Sequence, residues 1–102
     1  MVKPSTELVT ITKPWGRLDG EINEATRIAS VSSLSVSKSM QKQGKGTEIF
    51  KEFEAKARPC SDLIGIEIFA RNENAIKFWE SHGFSYIGLL DQGYLEYTKQ
   101  LN

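Results

Sequence analysis

The hydrophobic period changes on either side of one glycine-bearing loop, and this change constrains the fold more than any other feature of the sequence. Before Gly46 the apolar residues sit in extended, often β-branched runs. After it Ile49, Phe50, Phe53 and Ala57 recur at the spacing of one helical face, while Glu48, Lys51, Glu52 and Lys56 take the other. Pro59 stops that pattern. Residues 63–70 then form a nearly continuous apolar run interrupted by Glu67, which predicts a central strand buried on both faces. Strand, helix and strand in this order imply a right-handed crossover between two parallel strands.

The flanking segments predict further strands. Residues 7–12 are largely β-branched and lead into the turn signal Pro14, Trp15, Gly16. Residues 17–22 make a second strand, weakened by Gly20, and residues 26–36 a third. In this third run Ile28 and Val31 fall on opposite faces, yet Leu34 and Val36 return to the side of Ile28. Strict alternation fails between Val31 and Leu34, so an inserted bulge is expected there. The six serines among residues 30–39 would suit a flexible linker, but the interleaved Val31, Leu34 and Val36 favour a strand. Asn72 is a plausible N-cap for a second helix carrying Ala75, Ile76 and Trp79, and Gly83 closes it so that Phe84 folds back toward Trp79. Residues 84–90 and 94–101 read as a hairpin about Asp91, Gln92 and Gly93. The expected class is α+β: a mixed, mostly antiparallel sheet with one parallel strand pair and two main helices, as a single domain over residues 1–102.

Charge and cysteine content narrow the function classes. Thirteen Lys plus Arg balance thirteen Asp plus Glu, which removes the general electrostatic case for nucleic acid or an anionic membrane. Cys60 is the single cysteine, so no disulfide framework is possible within the chain and a reducing cytoplasm is the expected location. No run of apolar residues reaches the roughly 18 that a membrane helix needs.

Any anion site must therefore be local, and one segment stands out. Gln41, Lys42, Gln43, Gly44, Lys45, Gly46 and Thr47 join a strand to a helix, where outward amides and the helix dipole favour a phosphate that glycines allow to approach. Residues 28–47 hold Lys38, Lys42 and Lys45 and no acidic residue. A Walker loop needs Lys next to Ser or Thr, whereas Gly46 separates Lys45 from Thr47; a dinucleotide fingerprint needs a third glycine where Ile49 stands. What the loop does match is Q-x-x-G-x-G, as Gln41, Gly44 and Gly46 after the strand end Leu34-x-Val36. The second helix adds Asn72-x-x-Ala75-x-x-Phe78-Trp79-x-x-x-Gly83-Phe84.

In order, over roughly residues 26–90, these two motifs resemble the acetyl-CoA loop and the following helix of the GNAT acetyltransferases. The resemblance implies that the two parallel strands splay apart and hold the pantetheine arm of acetyl-CoA between them. Backbone groups of Leu34, Ser35 and Val36 would bind pantetheine, amides from Gln43, Gly44, Lys45, Gly46 and Thr47 the pyrophosphate, with Gln41 and Lys42 in the same loop. Asn72, Phe78 and Trp79 would flank the pantetheine side. The implied function is transfer of an acetyl group from acetyl-CoA to an amine, with a non-catalytic acyl-CoA-binding module as the alternative. No metal is implied. The resemblance also implies a short member without the family's first strand and first two helices, and such a sheet is expected to cover itself as a homodimer.

The catalytic groups stay open at this level. Trp79 stands where many members carry a tyrosine that protonates the departing thiolate. Glu21, Glu24 and Glu67 are candidate bases, and none is singled out. His82, in the last turn of the second helix, suits the helix dipole.

Overall fold

A computed structural model of the chain describes residues 6–41 and 43–101. Six strands form one sheet in the order β1-β2-β3-β4-β6-β5. They are β1 (Thr6–Lys13), β2 (Gly16–Asn23), β3 (Ile28–Val36), β4 (Leu63–Phe69), β5 (Ser85–Leu89) and β6 (Tyr94–Gln100). Helix α1 (Lys45–Ala57) joins β3 to β4, and α2 (Glu73–Ser81) joins β4 to β5. All neighbouring strands pair antiparallel except β3 and β4, which are parallel. The expected mixed sheet with one parallel pair is thus the observed one.

The bulge lies where alternation fails. Val31 sits opposite Gly20 and Ser33 opposite Asp19, so Ser32 is the extra residue in β3. One inserted residue flips the phase. Ala29 and Val31 before the bulge and Leu34 after it therefore all belong to the hydrophobic core, while Ile28 stays exposed.

The core occupies one side of the sheet. Ile49, Phe50, Phe53 and Ala57 of α1 are buried, the four residues that the helical period places together. They join Leu18, Ala29, Ile64 and Ile66 from the strands below. Each phenyl ring withdrawn in this way contributes about 1.5–3 kcal/mol relative to an exposed one. Trp79 of α2 meets Phe50 edge-on at 5.3 Å and Phe84 at 5.2 Å. The Phe84 amide donates to the Trp79 carbonyl, which folds the chain back over the helix end as the sequence predicts.

One expectation is overturned. β4 is not buried on both faces: Ile64, Ile66 and Ile68 are buried, whereas Glu67 and Phe69 are exposed. The physical reason is that both helices contribute to one core, which covers only the face carrying the three isoleucines. An apolar run can be continuous although one of its faces meets solvent, since Gly65 and Glu67 supply little apolar surface there.

Candidate functional site

The loop between β3 and α1 is tied down at several points. The Ser37 amide donates to the Trp15 carbonyl, holding the end of β3 to the β1–β2 turn. Gln41 Nε2 donates to the Val36 carbonyl at 3.1 Å, and Gln43 Nε2 donates to the Ser39 carbonyl at 3.2 Å. Gly44 is the N-cap of α1 with φ of 74°, a left-handed conformation that favours glycine, and its carbonyl accepts the first helical bond from Glu48. The first-turn amides, those of Lys45, Gly46 and Thr47, have no carbonyl one turn back within the helix. They border a hollow of about 550 Å³ lined by Val36, Gln41, Gly44, Lys45, Gly46, Thr47, Asn74 and Phe78. A Cβ at Gly46 would lie 3.0 Å from the Phe78 ring, so any side chain there would press on α2. Lys45 Nζ, 3.4 Å from Glu48 and 5.2 Å from the Trp15 ring centre, sets a cation at the rim. Lys42 lies outside the described residues.

A second feature is the gap beside β3. The parallel ladder runs only from Ile28 opposite Leu63 to Val31 opposite Ile66. Beyond the bulge, residues 33–36 pair with β2 and have no partner in β4, so Leu34, Ser35 and Val36 border an opening between the strands. Another hollow of about 550 Å³ lies on the helix-free face at the start of this opening. Glu21, Ser30, Ser32, Gly65, Glu67, Tyr94 and Glu96 are among its lining residues. Glu67 is the first residue of β4 past the last paired position and stands directly opposite Glu96 of β6. Ser30 donates to Glu21 at 3.4 Å.

The remaining candidates are placed differently. Asn72 caps α2, its Oδ1 accepting from the Ala75 amide at 3.1 Å, and it does not line the loop hollow. Trp79 is 4% exposed within the aromatic cluster and does not line it either. Glu24 belongs to a different place, beside Cys60: burial, and then Glu24, push the Cys60 thiol up, which keeps it neutral and unreactive. Asn74 and Glu96 line the hollows without having been singled out by sequence. Asn74 was accessible to such reasoning, because it precedes Phe78 by one helical turn and shares its face. Glu96 was not, because its placement depends on the register of β6 against β4.

His82 does more than meet the helix dipole. Its Nδ1 lies 2.7 Å from the Phe78 carbonyl oxygen and its Nε2 2.8 Å from Thr47 Oγ1, so it links the end of α2 to the start of α1.

The family model described as the acetyltransferase (GNAT) family matches residues 8–84. The chain belongs to the GNAT acetyltransferase family. No curated protein matches it. Among solved structures it is similar to an acetyltransferase from Bacillus cereus, with 22% identity and a TM-score of 0.77 over 97% of this chain and 76% of that one. The ribosomal-protein-S18-alanine N-acetyltransferase from Escherichia coli aligns at 15% identity and a TM-score of 0.75, covering 99% of this chain and 72% of that one. Nourseothricin acetyltransferase aligns at 18% identity and a TM-score of 0.82, covering 97% of this chain and 67% of that one. At these identities the likeness is one of fold. The bulged β3, the loop into α1 and the parting of β3 from β4 are thus set within a GNAT architecture. Among the described residues no group of His, Cys, Asp and Glu is arranged to hold a metal ion, and no helix is long and apolar enough to cross a membrane.

Proposed function

We propose that this GNAT domain binds acetyl-CoA along the opening between β3 and β4 and transfers the acetyl group to an amine. The observation that carries the reading is that the two hollows border the same stretch of β3, the loop hollow at Val36 and the carboxylate-lined hollow at Val31 and Ser32. In this reading the first-turn amides of α1 and Lys45 hold the pyrophosphate, with Lys42 adding charge, and Gln41 and Gln43 keep the loop in shape. The backbone of Leu34, Ser35 and Val36 takes the pantetheine arm, and Phe78 flanks it. Asn72 and Trp79 act behind this surface, the first by capping α2 and the second by packing it.

The carboxylate-lined hollow suits the acceptor. A lysine-like amine has a pKa near 10.4 and arrives as a cation, which Glu21, Glu67 and Glu96 attract. Glu67, at the mouth of the opening, is the group we assign to take the amine's proton. The departing thiol has an ordinary pKa of about 8.5, so its thiolate leaves near neutrality without an acid at the position of Trp79. The proposed homodimer would cover Leu8 on edge strand β1 and Ile87 and Leu89 on edge strand β5, all exposed in the single chain.

A second reading, a non-catalytic acyl-CoA-binding module, draws on the burial of Trp79, which offers no acid to the thioester. Thiol release from acetyl-CoA over a panel of small amines and lysine peptides separates the two. Transfer is expected with wild type, and calorimetry should show acetyl-CoA binding lost in Gly46→Val, whose side chain would press on Phe78 and fill the cradle. Binding without thiol release on any acceptor selects the second reading, and undiminished binding by folded Gly46→Val removes the loop from both.

A further inference from the structure

We infer that His82 is a positioning residue for the phosphate site, acting through the Thr47 hydroxyl, so that phosphate binding draws one proton onto the imidazole. The inference rests on the placement of pyrophosphate at the start of α1 proposed above. Its basis is the direction of the hydrogen bonds. His82 Nδ1 is 2.7 Å from the Phe78 carbonyl oxygen and 3.1 Å from Ser81 Oγ, and Ser81 Oγ gives its own proton to the same carbonyl at 2.6 Å. A carbonyl oxygen only accepts, so Nδ1 carries the hydrogen. In the neutral ring Nε2 is then a lone pair, and Thr47 Oγ1, 2.8 Å away, must donate to it.

This commits the single proton of Thr47. Thr47 lines the loop hollow on one side and a smaller hollow shared with His82 on the other. With the ring neutral, the hydroxyl offers the loop hollow lone pairs, which oppose an anion. Protonation at Nε2 reverses the bond: the new N–H donates to Thr47 Oγ1, the hydroxyl turns, and its proton becomes available to a phosphate oxygen. One proton enters from solvent and no bond between heavier atoms changes.

Several charged side chains face the ring. The hollow around it also holds Lys51 and Glu54 of α1 and Lys99 of β6, with Lys99 Nζ 2.7 Å from Glu54. On α2 itself, Glu80 accepts from the Tyr97 hydroxyl. Lysines and glutamates ordinarily keep their charge between about pH 6 and 8, whereas an imidazole changes there. The Phe78 and Phe50 rings, 4.3 and 5.7 Å away, fix the plane of the ring.

His82 is the only histidine of the chain, so its imidazole resonances can be followed without ambiguity. NMR titration with and without saturating acetyl-CoA should show the midpoint rising by about one unit or more, equivalent to about a tenfold change in affinity across the transition. Calorimetry should show acetyl-CoA affinity falling from about pH 6 to 8 more steeply in wild type than in His82→Gln, where only the ligand's own phosphate titrates. Thr47→Val keeps the backbone amide and removes the relay, so acetyl-CoA should bind more weakly and the midpoint shift should collapse. Binding with an unmoved midpoint, or a full shift in Thr47→Val, overturns the role of His82 and leaves the loop site standing. Absence of acetyl-CoA binding by folded wild type at every pH removes the loop site and this inference with it.

Discussion

The two faces of the sheet are made by the same six strands and have opposite characters. On the covered face Leu18, Ala29 and Ile64 are wholly buried beneath Phe50 and Phe53. On the open face the intervening residues are Arg17, Asp19, Glu21, Ser30 and Glu67, with Glu96 alongside in β6. Because side chains alternate along a strand, each strand serves both faces through neighbouring residues. The covered face sets the shape by packing. The open face, left to solvent, can carry unlike and like charges that a core would not tolerate. The two join at the opening between β3 and β4, and the proposed chemistry uses both: a helix start on one side and carboxylates on the other.

The largest separation between the faces should appear in stability. Phe53→Ala, at a residue with no exposed surface, is expected to lose about 3–5 kcal/mol. That is a large part of the roughly 5–15 kcal/mol that holds a domain folded. Phe69→Ala, at a residue 41% exposed whose ring meets Tyr94 at 5.5 Å, should lose only about 0.5–1.5 kcal/mol. Urea unfolding followed by far-ultraviolet circular dichroism reads both. Similar losses in the two variants would break the comparison, and would mean that the open face is packed against something in solution.

Function should divide the other way. Glu67→Gln is expected to lower turnover by about 10²- to 10⁴-fold while acetyl-CoA affinity holds. Stability should hold or rise slightly, since Glu67 faces Glu96 across the strands and removing one charge relieves the repulsion. Thiol release, calorimetry and urea unfolding on the same preparation make the test. Unchanged turnover in Glu67→Gln would return the base to Glu21 or Glu96, and a loss of stability would make Glu67 structural.

Local pattern carried much of this molecule. The buried face of α1, the cap at Asn72, the phase break at Val31 to Leu34 and the glycine loop were legible because each depends on residues close in sequence. What was hidden depends on register and on which face a helix covers. Gly20 illustrates this: read as a weak point in a strand, it is the place where a Cβ would come within 2.8 Å of the Phe53 ring, a contact 33 residues away that no local pattern signals. Glu96 entered the carboxylate-lined hollow only once β6, and not β5, was known to lie beside β4. The exposed face of β4 is hidden for the same reason, since composition along a strand does not say how many of its faces receive a helix. The α2 sequence gives His82 only the helix dipole to meet, whereas its bond to Thr47 joins two helices.

The smallest expected effect concerns the charges of the open face. Asp19 accepts from Arg17 Nε at 2.9 Å, from Thr10 at 2.9 Å and from Ser33 at 3.3 Å. The Arg17 hydrogen bond first, then that of Thr10, holds its carboxyl below the usual carboxylate range. A carboxyl with a lowered folded value stays ionised in the native chain while the unfolded chain takes up the proton. Its contribution is therefore present above the ordinary value near 4 and disappears as pH falls through the folded value. Asp19→Asn should accordingly be slightly less stable than wild type at pH 7, and the two should converge as the solution is acidified below about pH 4. The cluster faces solvent, so the difference should also shrink in about 1 M salt, where the screening length is near 3 Å. Urea midpoints of the two proteins across pH and salt give the answer. A difference that does not vary with pH would show that Asp19 acts by packing or by neutral hydrogen bonds. A loss as large as that of Phe53→Ala would place the open face among the determinants of the fold, leaving its charges no freedom to serve an acceptor.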